Sequence, residues 1–283
     1  MSAVIRPVRP DWLKVRAPVG GRVEEVTRVL ERRGLRTVCR EARCPNVGEC
    51  WGAGTATVLI LGSACTRRCA FCSVERGVPL PPDPGEPERV ADAAAELGWR
   101  HMVVTSVTRD DLPDGGAARF AAVVAALRAK VPSATVELLV PDFRGNPDAL
   151  RVVLACRPDV LAHNVETVPR LYPLVRPQAD YRRSLNLLAR ARSLDPDLTL
   201  KSGLMAGFGE TAAEIVSVME DLFGAGCRSV TVGQYLPPTR NHLPAARYLT
   251  KEEFGRLAEE ARRVGFLRVA SGPLVRSSYK AGA

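Results

Sequence analysis

From about residue 56 onward the chain alternates short β-rich runs with amphipathic ones, and this rhythm restricts the fold more than any other feature. The strand candidates are Ala56–Leu61, Met102–Val107, Thr135–Val140, Val160–Val165, Leu198–Met205 and Val230–Leu236. They are rich in Val, Leu and Thr and do not alternate strictly, the pattern of strands covered on both faces. Helical patterns lie between them. Glu86–Leu97 follows a Pro-Gly turn, Ala117–Lys130 has apolar residues three and four apart, and Ala179–Leu194 starts near Asp180. Thr211–Phe223 opens on a threonine cap, and Lys251–Val264 follows Thr250 with Glu253 three residues on, a capping box. Crossovers this long make neighbouring strands parallel, in right-handed βαβ units. Six units are two short of a closed eight-fold barrel. An open six-stranded barrel and a doubly wound sheet are the choices, and either puts the site at the C-terminal ends of the strands.

Composition narrows the class. The 283 residues are 46% hydrophobic and 25% charged, a globular balance that excludes a disordered or collagen-like chain. No uninterrupted apolar run approaches membrane-spanning length. The first residues lack the apolar segment of a secretory signal, so a cytoplasmic protein is expected. Residues 1–54 hold one helix pattern, Arg22–Arg33, followed by cysteines, and read as an N-terminal extension. Gly77–Pro87 reads as a Pro/Gly-rich loop. Net charge is +9, from 40 basic and 31 acidic residues. A nucleic-acid binder would interleave aromatics with a basic patch. Here aromatics are 5% and the arginines are spread along the chain, so no nucleic acid is expected and an acidic protein partner fits better.

The eight cysteines are unevenly placed. In a reducing compartment such a cluster reads as metal-binding or catalytic. Cys65, Cys69 and Cys72 have the spacing C-x3-C-x2-C, in the loop after the first strand. Zinc sites usually add a second cysteine pair or histidines, and His101, His163 and His242 are not at ligand spacing. Three thiolates on one short loop suit three irons of a [4Fe–4S] cube, with the fourth iron open to a small molecule. Cys39, Cys44 and Cys50, spaced C-x4-C-x5-C, imply a second cluster whose fourth ligand comes from elsewhere. Cys156 and Cys227 read as core residues. Asp110, Asp111 and Asp114 do not have EF-hand spacing and read as a structural loop. His163 and His242 read as core or loop residues, and Arg109 has no assigned role.

The segment C-T-R-R-C-A-F-C, with Phe71 before its last cysteine, resembles the cluster motif of the radical S-adenosylmethionine superfamily. Together with C-x4-C-x5-C upstream and Arg276-Ser277-Ser278-Tyr279 downstream, it resembles the lipoyl synthase family. Thr105–Ala117, His163–Thr167, Lys201–Met205 and Thr231 to Phe254 extend the likeness over roughly residues 9 to 280. The resemblance implies an α/β fold, a partial (β/α)6 barrel of parallel strands over residues 55–250. It carries an N-terminal cluster-binding extension (1–54) and a C-terminal helix and tail (251–283). It further implies two [4Fe–4S] clusters. Cys65, Cys69 and Cys72 hold one that binds S-adenosylmethionine. Cys39, Cys44, Cys50 and Ser278 hold an auxiliary, sacrificial one, and Ser278 is expected to leave its iron as sulfur is surrendered.

For S-adenosylmethionine itself the expected contacts are Phe71, Thr105, Ser106, Asn164, Glu166, Lys201 and Met205. The hydroxyls of Thr105 and Ser106 suit the amino end, Asn164 and Glu166 the ribose or ammonium, and Lys201 the carboxylate. Gly203-x-Met205-x-Gly207-x-x-Glu210 resembles the superfamily's adenine-side stretch. The implied reaction inserts sulfur at C6 and C8 of an octanoyl chain on a lysine of a carrier domain. The implied carriers are the E2 component of oxo-acid dehydrogenases and the glycine cleavage H protein. Ferredoxin or flavodoxin is the expected electron donor, with an iron–sulfur carrier to restore the cluster. A methylthiotransferase or a biotin synthase-like enzyme is the alternative; neither is expected to combine C-x4-C-x5-C with a terminal R-S-S-Y.

Overall fold

The computed structural model describes residues 7–15, 20–279 and 281. Among them eight strands form one sheet. They are β1 Arg36–Thr37, β2 Thr57–Ile60, β3 His101–Ser106, β4 Thr135–Leu139, β5 Val160–Ala162, β6 Thr199–Ala206, β7 Ser229–Gln234 and β8 Arg268–Gly272. Their spatial order is their sequence order. β1 joins β2 antiparallel, and every later neighbour is parallel. A doubly wound sheet reverses its strand order part-way. This one never does, so of the two architectures it takes the barrel winding, left open with β1 and β8 as its edges.

The six expected strands are β2 to β7. β8 escapes a hydrophobicity reading because Arg268–Gly272 contains Ala, Ser and Gly and is half-buried or exposed along its length. The helices are α1 Gly21–Arg32, α2 Val38–Glu41, α3 Val47–Gly52, α4 Glu86–Glu96, α5 Ala117–Lys130, α6 Pro147–Ala155, α7 Tyr172–Val175, α8 Tyr181–Leu194, α9 Ala212–Gly224 and α10 Lys251–Val264. α4, α5, α6, α8, α9 and α10 each follow a strand of the parallel series. α6 was not expected, yet it carries its own start signal. Asn146 Oδ1 accepts from the backbone N–H groups of Asp148 and Ala149, and Pro147 occupies the first turn. The capping box at Thr250 and Glu253 forms as the sequence predicts, and Thr211 and Glu214 form another.

β2 and β7 are buried along their whole length, as strands covered on both faces must be. The interior also holds an ion pair. Lys201, the third residue of β6, places Nζ 2.9 and 3.1 Å from the carboxylate oxygens of Glu137 on β4. Inward side chains of alternate strands share a layer in a barrel, so these two meet across β5, where Val160 pairs with Glu137 and Ala162 with Lys201. The Lys201 cation, expected to meet a methionine carboxylate, is here paired with Glu137, five residues before the C-terminal end of β6. Cys227 is fully buried, as expected of a core residue. Cys156 is only half-buried, with Sγ 2.9 Å from the Val153 carbonyl. No helix of the described residues is long and apolar enough to cross a membrane.

Candidate functional site

The loop from Cys65 to Gly77 crosses the C-terminal mouth of the barrel, and almost every neighbouring loop holds it. The Cys65 N–H donates to the Glu75 carbonyl (2.8 Å) and Thr66 N–H to Thr108 O (3.1 Å). Ala70 N–H donates to Val175 O (2.9 Å), and the Arg68 N–H to Gln178 Oε1 (2.6 Å). His242 lies after β7, and its Nε2 sits 3.1 Å from the Cys72 carbonyl. A carbonyl only accepts, so Nε2 carries the proton, and Nδ1 accepts from the Thr239 hydroxyl at 2.8 Å. The lone-histidine reading therefore resolves into a strut for the cysteine loop. Cys65, Cys69 and Cys72 are free thiols. Burial pushes Cys69 up, and pushes Cys72 up to about 12, with the neighbouring thiols and Glu166 raising both further. Loading such a site releases protons.

The strand-end residues gather on the same mouth. Thr105 and Ser106 finish β3. The Thr105 hydroxyl is committed to the Leu139 carbonyl at 2.7 Å, whereas the Ser106 hydroxyl is buried with no partner among the described residues. After β5, Glu166 adopts φ 66°, a left-handed conformation that is costly outside glycine and concentrates at functional sites. Its backbone still pairs with β6, through Gly203 O and Met205 N. Asn164 Nδ2 donates to Glu166 Oε1 at 3.1 Å. Burial pushes the Glu166 carboxyl up, opposed by Arg176, Asn164 and Arg276. A Cβ on Gly203 would run into the Thr231 hydroxyl and come 3.1 Å from Asn164 Oδ1, so bare backbone is required there. Met205 and Phe71 are half-buried against the core. Glu210 accepts from the N–H groups of Gly207 (2.6 Å) and Phe208 (2.9 Å), which makes it the clamp of its own glycine turn.

The second cysteine set sits on two very short helices, with Cys39 on α2, Cys50 on α3 and Cys44 in the link between them. Thr37 caps α2, with its hydroxyl accepting from Arg40 N–H, and the Cys44 N–H donates to Cys39 O at 3.0 Å. Trp51 of α3 is fully buried. The C-terminal tail reaches this region by crossing the mouth. The Val275 carbonyl occupies the space a side chain on Gly233 would take. Asn46 Nδ2 donates to the Leu274 carbonyl at 2.6 Å, and the Tyr279 hydroxyl lies 3.0 Å from both Glu49 carboxylate oxygens. The Ser277 hydroxyl donates to Asn164 Oδ1 at 3.0 Å. Ser278 is therefore pinned between a contact to the strand-end site and a contact to the cysteine-bearing extension. Burial pulls the Arg276 guanidinium down, against the pull of Cys44 and Glu166, so one residue senses both sites.

Two groups, Arg176 and Arg109, had no sequence signal of their own, and His163 takes the core position read for it. Arg176 is buried, donates to the carbonyls of Asn164 (2.9 Å) and Val165 (3.1 Å), and lies 5.4 Å from the Tyr172 ring centroid. Arg109 forks onto Asp111 and reaches the Leu61 carbonyl at 3.3 Å, which gives the acidic stretch its structural role. His163 is fully enclosed, and its Nδ1 donates to Val140 O at 2.8 Å. Burial lowers it to about 4 and keeps the ring neutral.

These residues fit the groups the motifs imply. Among the described residues no three His, Cys, Asp or Glu side chains converge on a single ion. A cubane asks for something else, one thiolate per iron corner, and each loop or extension supplies three thiols. The unpartnered Ser106 hydroxyl leaves a buried donor for a small polar molecule beside the loop.

Comparison with known proteins agrees. The radical SAM superfamily model matches residues 59–222. A lipoyl synthase of Methylococcus capsulatus is 57% identical over 274 residues, covering 96% of this chain and 85% of that one. Those of Rubrobacter xylanophilus and Caldanaerobacter subterraneus are each 55% identical over 273 residues, covering 96% of this chain and 85% and 95% of theirs. Streptococcus suis SuiB, solved with S-adenosylmethionine, matches with a TM-score of 0.60 at 11% identity, covering 80% of this chain and 54% of SuiB. Methylornithine synthase matches with a TM-score of 0.56 at 14% identity, covering 93% of this chain and 82% of that one. At such identities the likeness is one of fold. The sequence relatives go further: this chain belongs to the lipoyl synthase family, within the radical S-adenosylmethionine superfamily.

Proposed function

We propose that this enzyme replaces one hydrogen at C6 and one at C8 of an octanoyl chain with sulfur, the chain being in amide linkage to a lysine of a carrier domain. Saturated C–H bonds are inert to acid–base chemistry. When bound, one [4Fe–4S] cluster with S-adenosylmethionine supplies a 5′-deoxyadenosyl radical that abstracts those hydrogens, and an auxiliary [4Fe–4S] cluster supplies the sulfur. Cys65, Cys69 and Cys72 hold the first cluster, Cys39, Cys44 and Cys50 the second. Ser106 and Glu166 bind the methionine end, with Asn164 orienting Glu166. Phe71, Met205 and the turn clamped by Glu210 border the adenine side, and Thr105, committed to a carbonyl, shapes the wall. Ser278 is the fourth ligand of the auxiliary cluster. A serine oxygen is a harder and poorer match to iron than a thiolate, which suits a ligand that must let go.

The observation that carries this reading is the tail. Ser277 bonds to Asn164 and Tyr279 bonds to Glu49, which brings the extension up to the strand-end site. A sulfur donor works only if it is held next to the carbon radical. The natural partners are octanoylated carrier domains, such as the E2 component of oxo-acid dehydrogenases or the glycine cleavage H protein. A ferredoxin or flavodoxin delivers electrons, and an iron–sulfur carrier restores the auxiliary cluster.

The test is iron and sulfide quantitation on anaerobically purified protein, together with turnover of an octanoyl-lysyl peptide. About eight irons and eight sulfides per chain, with 6-thio and then dithiolated product, are expected. About four of each would remove the internal sulfur donor. A methylthiolated product would favour the methylthiotransferase alternative.

A further inference from the structure

We propose that Asp142, in the loop after β4, is a positioning residue for the radical-cluster loop and acts through Arg67. The inference rests on the reading that Cys65, Cys69 and Cys72 hold that cluster. Arg67 stands between Cys65 and Cys69, and its own N–H points at Cys65 Sγ from 3.4 Å. Any movement of Arg67 therefore displaces a donor to a cluster sulfur. Its side chain is held on both edges. Nη1 and Nη2 fork onto Asp142 at 3.0 and 2.6 Å, and Nε and Nη2 fork onto Asp110 at 2.7 and 2.9 Å. The Arg67 side chain is 4% exposed and that of Asp142 is fully buried.

Asp142 is itself fixed. Its Oδ1 accepts from the Arg144 N–H at 3.0 Å, and its carbonyl accepts from Gly145 N–H at 2.8 Å. It thus ties the cysteine loop to a strand end 75 residues away in sequence. The ties of this loop from His242, Val175, Thr108 and Gln178 are uncharged bonds. The Arg67 pair sets charge beside the cysteines as well as position, alongside Arg176 and Glu166. Two carboxylates face one buried guanidinium, with Arg183 reaching Asp142 from outside at 3.4 Å. Cluster potentials follow nearby charge and hydrogen bonds to sulfur. Neutralising Asp142 leaves Arg67 with one carboxylate fewer, and a more positive surrounding favours the reduced cluster.

The experiment uses the full chain, reconstituted anaerobically, as wild type, Asp142→Asn, Arg67→Lys and the Arg67→Gln/Asp142→Asn double variant. Redox titration follows the cluster whose electron paramagnetic resonance changes on adding S-adenosylmethionine, and deoxyadenosine is counted per thiolated product. In Asp142→Asn the midpoint moves to more positive potential and several-fold more S-adenosylmethionine is cleaved per product. Arg67→Lys keeps the charge but loses the fork, so it uncouples with little change of midpoint. The double variant removes both partners without changing net charge. Its midpoint returns towards wild type while the uncoupling stays, and it supplies the readout if Asp142→Asn alone does not fold. Variants that match wild type in both readouts overturn the proposal, as does a double variant that is fully coupled. A wild type with no cluster responsive to S-adenosylmethionine removes the underlying reading and the proposal with it.

Discussion

The two cysteine sites are built by opposite means. The radical-cluster loop is anchored by the barrel, with backbone bonds to the loops after β3 and β5, a histidine strut and a buried ion pair. The auxiliary set rides on helices of four and six residues, too short to persist alone. It is held by one buried tryptophan, its packing on the barrel edge, and a tail that returns across the mouth. Rigidity suits a site that must orient S-adenosylmethionine identically in each turnover. On the proposed reading the second site gives up sulfur and must open, and a strap of hydrogen bonds opens more readily than a barrel loop.

Cysteine variants break this comparison most sharply. Cys65→Ala abolishes both S-adenosylmethionine cleavage and thiolation. Cys44→Ala leaves about half the iron and retains cleavage to deoxyadenosine, but yields no sulfur-containing product. Deoxyadenosine and product chromatography read both arms.

The next effect lies in the barrel alone. Glu137→Ala strands the buried Lys201 cation and costs about 3–5 kcal/mol in chemical denaturation, although it bonds to neither cysteine set in any contact described above. Acid then tests the barrel without a variant. His163 is neutral in the folded state and titrates near 4, against 6.5 for a free imidazole. The unfolded chain takes up that proton first as pH falls. Stability from this group is constant above about 6.5 and is lost progressively between 6.5 and 4, by roughly 3 kcal/mol in all. Thermal melts across that window show the slope, and His163→Asn flattens it. The smallest effect is at the strap. Tyr279→Phe costs only about 1 kcal/mol of global stability. It speeds iron loss from the auxiliary site to a chelator while leaving S-adenosylmethionine cleavage unchanged.

The same division governs what could be read from residues alone. β2 to β7 were legible because buried strands are dense in Val, Leu and Thr. The half-buried β8 and the two-residue β1 lack that density. The cysteine spacings carried a signal of their own, since a cluster needs thiols at fixed reach. Ser278 did not; a Ser-Ser pair in a tail is ordinary, and only resemblance singled it out. The partner of Lys201 was not legible either. Its place on a β-strand was right, but a partner on a non-neighbouring strand depends on how the barrel layers. Arg67, Asp142 and Arg176 were unreadable for the same reason, being paired across 75 residues or to backbone carbonyls.

The contact between Asn46 and Leu274 spans 228 residues. A ribosome adding about 5–20 residues per second needs on the order of 10–50 s to cover that distance. Cys39, Cys44 and Cys50 therefore emerge early and wait, while the strands and helices between them and the tail are made and packed. The strap forms only after the barrel strands between these cysteines and the tail are made, and the thiols spend the interval without it. If these thiols hold the auxiliary cluster as proposed, their strap is added only once the residues around 274 are made, and oxidation of the three cysteines is the hazard of the interval.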